Sequence, residues 1–534
     1  MSDPPTVLSA LEVAARSAYA WAVPPESGTA PLKADVVVIG AGAGGLTAAV
    51  VAASTKRRVL LIERLRTGGE CTFTGCIPSK ALLALAKRVH AARQSTALGL
   101  SVSGEPDWTI IQAQVRKIID SFEDVDSPAS IQKRGVQVIG GEATFVSPHV
   151  LEVTSGAGTC TVMAEKFVLA TGSEAVIPEI AGLADVPYLT HETIFDVPQR
   201  PEHLLILGGG PIGCELSQAF VRLGSLVTTV EQGGRLIEKD EPEASAALLG
   251  VLRNDGVDVY LNAEVVRAER QPDGVRLHLG DGRTLDGSHL LIAVGKQPRV
   301  EGLGLDVIGA AYDKKGLKVH SSMQSTTCHY LWGAGDVVGG PMFTHGATER
   351  GVLAGLGSLA WWGRAVAAVR APAARVEDIP WVTYTEPEIA HWGLTEAQAV
   401  QRYGGRVVVV DYDFSHLDRA RTEQEGGFVK LVALGGLFGS PLGFKVVGAQ
   451  VVGSRAGELV QLLSLPSRLG VHPAKLALLP VSYPTFAEAV RQTYLGLLTD
   501  GEQFGQRRPG RAAEPEQMQA WAARRVAVTR KIQS

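Results

Sequence analysis

Asp35-Val36-Val37-Val38-Ile39-Gly40-Ala41-Gly42-Ala43-Gly44-Gly45 is where the ordered fold of this 534-residue chain is expected to begin. The unbroken β-branched run from Val36 to Ile39 has the pattern of a strand buried on both faces. It enters a glycine turn and then an apolar helical run. Gly40, Gly42 and Gly45 spell GxGxxG, which permits a tight turn and lets helix N–H groups approach a pyrophosphate. The motif alone is weak. It gains weight from the next strand-like run, Arg58 to Glu63, whose last carboxylate can accept hydrogen bonds from both hydroxyls of a ribose. A second copy follows: Leu204 to Leu207 lead into Gly208-Gly209-Gly210-Pro211-Ile212-Gly213, and Val227 to Val230 end at Glu231. Glu63 follows Gly40 by 23 positions, and Glu231 follows Gly208 by 23. Two strand-turn-helix-strand units with one spacing predict two dinucleotide sites.

Between the copies lies Gly68-Gly69-Glu70-Cys71-Thr72-Phe73-Thr74-Gly75-Cys76-Ile77-Pro78-Ser79-Lys80, ahead of an apolar helical run. Five steps along an ideal helix turn a side chain by about 140°, so two sulfurs at this spacing meet only if the turn between them is unwound. Thr74-Gly75 gives the backbone that freedom. Pro78 suits the first turn of the following helix, which puts Cys76 at a positive helix end that favours a thiolate. Spacing by itself leaves a redox-active pair and two buried apolar thiols both open. Half a zinc site is disfavoured, because no second Cys or His pair stands at ligand spacing.

The whole string, GGxCxxxxCxPSK, resembles the active-site signature of the FAD-dependent pyridine nucleotide-disulfide oxidoreductases. The resemblance extends over roughly residues 35 to 495. It implies two Rossmann-like (three-layer ββα) dinucleotide-binding domains and an α+β C-terminal dimerisation domain. The boundaries expected are 1–33 for an N-terminal extension, 34–195 with 301–370 for FAD, 196–300 for NAD(P), 371–498 for dimerisation and 499–534 for a polar tail. For FAD, the resemblance implies Gly40, Gly42, Gly45 and Glu63, backbone at Ala143, the Thr171-Gly172 turn, Asp336 on the ribityl hydroxyls, and Met342 and Phe343 over the flavin edge. Lys80 is implied beside the flavin, paired with Glu215, where a cation stabilises the reduced ring. His345 reads as a helix-start or packing residue. For the nicotinamide cofactor the residues are Gly208, Gly210, Gly213, Glu231, Val265 and Gly295. A carboxylate at 231 binds a free 2′-hydroxyl and repels a 2′-phosphate, so NADH is expected, with NADPH possible through Arg235. Electrons would pass from NADH through FAD to Cys71 and Cys76, Cys76 lying against the flavin and Cys71 meeting the acceptor.

Composition agrees with this class. The chain is 45% hydrophobic and 20% charged, too long for a single core, and its net charge of -4 disfavours nucleic acid as a partner. No apolar run reaches the roughly eighteen residues of a membrane span, and the first 33 residues do not read as a secretory signal. A cytoplasmic location is expected, where a disulfide is more often catalytic than structural. Cys160, Cys214 and Cys328 stand singly.

The last third holds a departure. Trp381 to Glu388 resembles the start of the family's dimerisation domain, so a homodimer is expected, its second subunit completing the disulfide side of the site. Most relatives end in His-Pro-Thr, the histidine shuttling the substrate thiol's proton with a glutamate five residues on. Here Tyr483-Pro484-Thr485 stands there, with Glu488 retained. A phenol with a pKa near 10 is a poor base at neutral pH, yet it can donate a hydrogen bond to a thiolate or ligand. His472-Pro473 reads as a helix start. The mercuric reductase-like branch also places tyrosine at this position, which makes a soft metal ion or a disulfide the expected acceptor. No cysteine follows Cys328, so that branch's C-terminal delivery pair is missing. Alternatives are a dihydrolipoamide dehydrogenase-type or quinone reductase activity, or a flavoprotein redox sensor without turnover.

Overall fold

A computed structural model describes residues 30–359, 379–435, 443–499 and 506–510. The weak helical spacing of Leu8, Leu11, Ala15, Ala18 and Ala22, and a possible short helix from Glu514, lie outside these residues.

The chain enters a first sheet at β1 (Leu32–Ile39), three residues earlier than expected, because Leu32 and Lys33 already pair with Val162 and Met163. Helix α1 (Ala43–Ala53) returns to β2 (Val59–Glu63). The cysteine string then forms α2 (Gly69–Phe73) and α3 (Cys76–Gln94), separated by Thr74-Gly75. What reads as one helical stretch from 90 to 135 is broken: α4 (Trp108–Asp126) begins under the Asp107 cap, and α5 (Pro128–Lys133) under Ser127. Strand β3 (Val136–Gly140) extends the parallel set, and the meander β4 (Glu142–Ser147), β5 (Val150–Ser155) and β6 (Gly158–Leu169) follows, giving the order β3-β2-β1-β6-β5-β4. Strand β7 (Ser173–Ala175) leads out.

The second unit repeats the plan. β8 (His203–Leu207), α6 (Pro211–Arg222), β9 (Leu226–Val230), α7 (Pro242–Asn254) and β10 (Val257–Tyr260) alternate. An antiparallel layer, β11 (Val265–Gln271), β12 (Gly274–Leu279) and β13 (Thr284–Gly287), comes before β14 (His289–Ile292), which closes the parallel order β10-β9-β8-β14. β15 (Lys296–Pro298) pairs back with β7. The chain then re-enters the first unit through the hairpin β16 (Tyr312–Asp313) and β17 (Gly316–Leu317). From there β18 (Leu331–Gly333) runs parallel to β6, ahead of α8 (Thr344–Gly357).

A C-terminal sheet is built from β19 (Trp381–Thr383), β20 (Glu388–Gly393), α9 (Glu396–Tyr403), β21 (Val407–Asp413), α10 (Asp418–Glu423), β22 (Phe428–Leu434) and β23 (Lys445–Gly453). Helices α11 (Ala456–Leu469), α12 (Pro473–Ala477) and α13 (Ala487–Leu498) follow it. A short part of the polar tail joins this sheet. Residues of β24 (Gln506–Pro509) pair antiparallel with β21 and supply the sixth strand, their short run of backbone groups finding partners on an open sheet edge. One apolar cluster joins Leu82 and Ala86 of α3 to Leu204, Phe220 and Leu248 of the second unit, so the cysteine helix is seated on the second nucleotide unit. Among the described residues no helix is long and apolar enough to cross a membrane.

Candidate active site between two glycine turns

The two glycine turns are built alike. A Cβ on Gly40 (φ +101°) would lie 2.3 Å from the Ala170 carbonyl oxygen, and one on Gly208 (φ +113°) would lie 2.5 Å from that of Ala293. Each first glycine therefore lets its strand end cross the neighbouring strand's exit. A Cβ on Gly45 would stand 1.9 Å from the Gly40 oxygen and one on Gly213 2.0 Å from the Gly208 oxygen, so the third glycine sets how closely helix meets turn. The middle glycines differ: around Gly42 and Gly210 nothing lies within 4 Å of an added Cβ. Both cap helices, α1 and α6, and both face the same cleft. This is open space at a positive helix end, where a diphosphate fits.

The carboxylates behind the turns match as well. Glu63 accepts the Ala41 N–H at 2.7 Å and the Leu65 N–H at 2.8 Å. Glu231 accepts the Gly209 N–H and the Gly233 N–H, each at 2.6 Å. Both carboxylates line the cleft, as do Ala143, Thr171, Gly172, Val265, Gly295, Asp336, Met342 and Phe343. Arg235 is engaged elsewhere, donating to the backbone oxygens of Glu238 and of Asp240, the latter at 2.9 Å, so it closes its own turn.

The cysteines lie on the wall between the turns. Gly69 packs on Gly42, where a Cβ would come within 2.6 Å of the Gly42 Cα, and this docks α2 directly beside the first turn. Cys71 is half-buried and Cys76 exposed; both are free thiols in contact with each other. The hydrogen bond from Cys71, helped by the Thr344 hydroxyl at 3.2 Å and by the Lys80 charge, outweighs burial and brings the Cys76 thiol down to about 6. The same coupling, with burial, pushes Cys71 upward. The pair therefore holds one proton on Cys71 and negative charge on Cys76. Lys80 lies 2.9 Å from Glu215, which also accepts the Tyr384 N–H at 2.9 Å. His345 stacks on Phe343, its Nε2 2.8 Å from the Pro380 oxygen, and His472 caps α12.

Several polar residues at this site were not singled out from the sequence. Glu70, beside Cys71, has Lys296 Nζ at 3.0 Å and His191 Nε2 at 3.3 Å. Burial pushes the Glu70 carboxyl up, but the close approach of His191 and the Lys296 charge hold it at about 2. Asp336 accepts the Ser173 hydroxyl at 2.8 Å and faces Lys296 at 3.4 Å. Trp381 donates to Asp240 at 3.2 Å and stacks on His391. The available signal was thin: Glu70 occupies a variable place in the cysteine string, and Lys296 merely follows a strand-ending glycine.

Two expected residues lie apart from this cleft. Neither Tyr483 nor Glu488 lines it. Tyr483 is 70% exposed, and its hydroxyl donates to Asp418 at 2.9 Å, whereas Glu488 contacts Gln492 at 3.4 Å. A phenol reaches further than an imidazole, and α10 offers it a nearer carboxylate than α13 does.

Known proteins match this arrangement. The family model described as pyridine nucleotide-disulphide oxidoreductase matches residues 34–351, and that of the family's dimerisation domain matches 379–494. A mercuric reductase of Streptomyces lividans is 34% identical over 465 residues, covering 86% of this chain and 94% of the relative. A dihydrolipoyl dehydrogenase of Bacillus subtilis is 30% identical over 473 residues, covering 86% and 96%. Among solved structures, the Cu(II) complex of the HOCl-induced flavoprotein disulfide reductase RclA from Escherichia coli superposes with a TM-score of 0.74 at 25% identity, over 85% of this chain and 98% of that one.

Proposed function

Since the chain belongs to the pyridine nucleotide-disulfide oxidoreductases, a family that is FAD-dependent and uses NAD(P)H, we propose that it passes electrons from NADH to a soft metal ion or a disulfide at Cys71 and Cys76. It would act as a cytoplasmic homodimer, in the manner of mercuric reductase. The observation that carries the choice of branch is Tyr483, bonded to Asp418 where a proton-shuttling histidine is expected. Lipoamide-type exchange needs that base; a metal ion held by two thiolates does not.

FAD, when bound along Gly42, Glu63 and Asp336, supplies two-electron transfer between the nicotinamide and the cysteines. Gly210 and the α6 N-terminus receive the diphosphate of NADH, and Glu231 takes its adenosine ribose. Lys80 stabilises negative charge on the flavin side of Cys76. Cys71 keeps its proton until the acceptor arrives; as its sulfur bonds the acceptor, that proton passes to water when a metal ion binds, or to the departing thiolate when a disulfide is opened. Closure of the Cys71–Cys76 bond returns the pair to the oxidised form, with two electrons on the acceptor. Tyr483 of a second copy would face Cys71, its hydroxyl turning from Asp418 to donate to the bound substrate.

NADH oxidation measured with Hg(II), Cu(II), oxidised lipoamide, a quinone and dioxygen tests this. Turnover with a metal ion should exceed that with lipoamide, and should vanish in Cys71→Ser. Lipoamide as the fastest acceptor would overturn the branch assignment, and a trickle to dioxygen alone would favour a redox sensor.

A further inference from the structure

A buried charge network ties the second nucleotide unit to the C-terminal sheet. Lys430, in the middle of β22 with 0% of its side chain exposed, has its Nζ 2.6 Å from Glu243, 3.1 Å from Glu396 and 3.3 Å from Glu241. Glu241 caps α7, Glu243 lies in its first turn, and Glu396 opens α9. Glu241 also accepts the Glu396 N–H at 2.6 Å. One lysine among three buried carboxylates leaves an excess of negative charge, which is costly away from water. Arg508 brings the second cation. From β24 it donates to both oxygens of Glu396, the Nη2 bond at 2.7 Å, and through Nε to Asp411 at 3.0 Å. Such a fork fixes direction as well as charge.

The network continues into the cleft. The segment ahead of Glu241, Glu238 to Asp240, lines the cleft, as do Gln398, Gln401 and Arg402 of α9. Just before that segment, Arg235 holds the Asp240 oxygen, and the Ile237 N–H donates to the Gly209 oxygen at 2.9 Å, inside the second glycine turn. A continuous path of direct contacts thus runs from Arg508 through Glu396 and Glu241 to the turn that Glu231 braces.

We propose that Arg508 is a positioning residue for nicotinamide dinucleotide binding: from the C-terminal strand it clamps α9 onto α7 and so fixes the 235–240 turn against the second glycine turn. The inference rests on the reading that Gly208 to Glu231 binds NADH. Its test is NAD+ titration of the full-length FAD-loaded protein, followed by quenching of flavin fluorescence. Arg508→Ala should weaken NAD+ about fivefold or more with FAD content unchanged, and Arg508→Lys, which keeps charge but loses the fork, about two- to fivefold. If Arg508→Ala does not fold, Arg508→Lys decides. A folded, fully flavinated variant whose Kd stays within about twofold of the parent overturns the inference and leaves Arg508 a stability residue only. A parent with no affinity for NAD+ or NADP+ overturns the nucleotide reading, and this inference with it.

Discussion

Cys76 shows how three neighbouring residues set one proton. Its thiol is brought to about 6 by Cys71, Thr344 and Lys80, so the thiolate exists above that pH and is lost below it. In the reduced protein, the thiolate absorbance missing from Cys76→Ser should therefore titrate near pH 6. In Lys80→Met it should titrate higher, because a favourable charge has been removed; no movement would exclude Lys80 from the cause. Glu70 makes the matching case for stability. Its carboxyl sits at about 2 in the folded protein, below its unfolded value, so its stabilising contribution is complete above the ordinary carboxylate range and fades as pH falls toward 2. Glu70→Gln should flatten the acid limb of a Tm-against-pH profile. That Cys71 and Cys76 meet was legible in the sequence, because the glycine between them and the proline after them are local chemistry. Glu70, His191 and Lys296, which gather beside Asp336, were not, because they leave separate segments and meet only where strand ends converge.

At the scale of elements, the two strand-turn-helix units were legible because equal spacing is preserved whatever packs around it. Their glycines also separate binding from folding. Gly42→Val should fold and lose FAD, since the added atoms enter open cleft, whereas Gly45→Val should fail to fold, since its Cβ falls 1.9 Å from the Gly40 oxygen. Gly210→Val should keep FAD and lose NADH. Flavin absorbance after purification, followed by nucleotide titration, separates the three outcomes. Strand β24 escaped reading because Gln506 to Pro509 has no apolar alternation; its place is decided by an open edge on β21 and by the carboxylates that await Arg508. The Tyr483 contact with Asp418 was not legible, since Asp418 lies on α10, 65 positions away.

For the molecule as a whole, the cysteine segment is shared by both nucleotide units: α2 docks on the first turn through Gly69, and α3 on the second unit through Leu82 and Ala86. If a second copy supplies Tyr483, Asp418→Asn should lower kcat for a metal-ion acceptor while leaving FAD content, NAD+ affinity and Cys76 titration unchanged, and Tyr483→Phe should do the same. Glu231 carries one more consequence. Its two oxygens already hold the amides of Gly209 and Gly233 at 2.6 Å each, so the side chain that would sort NADH from NADPH is also the rivet of its own loop. Exchanging it for a small neutral or basic residue would strand two peptide hydrogens and slacken the loop. A switch of coenzyme in this scaffold therefore calls for a rebuilt loop, with new acceptors for both amides, and cannot be had by changing one letter.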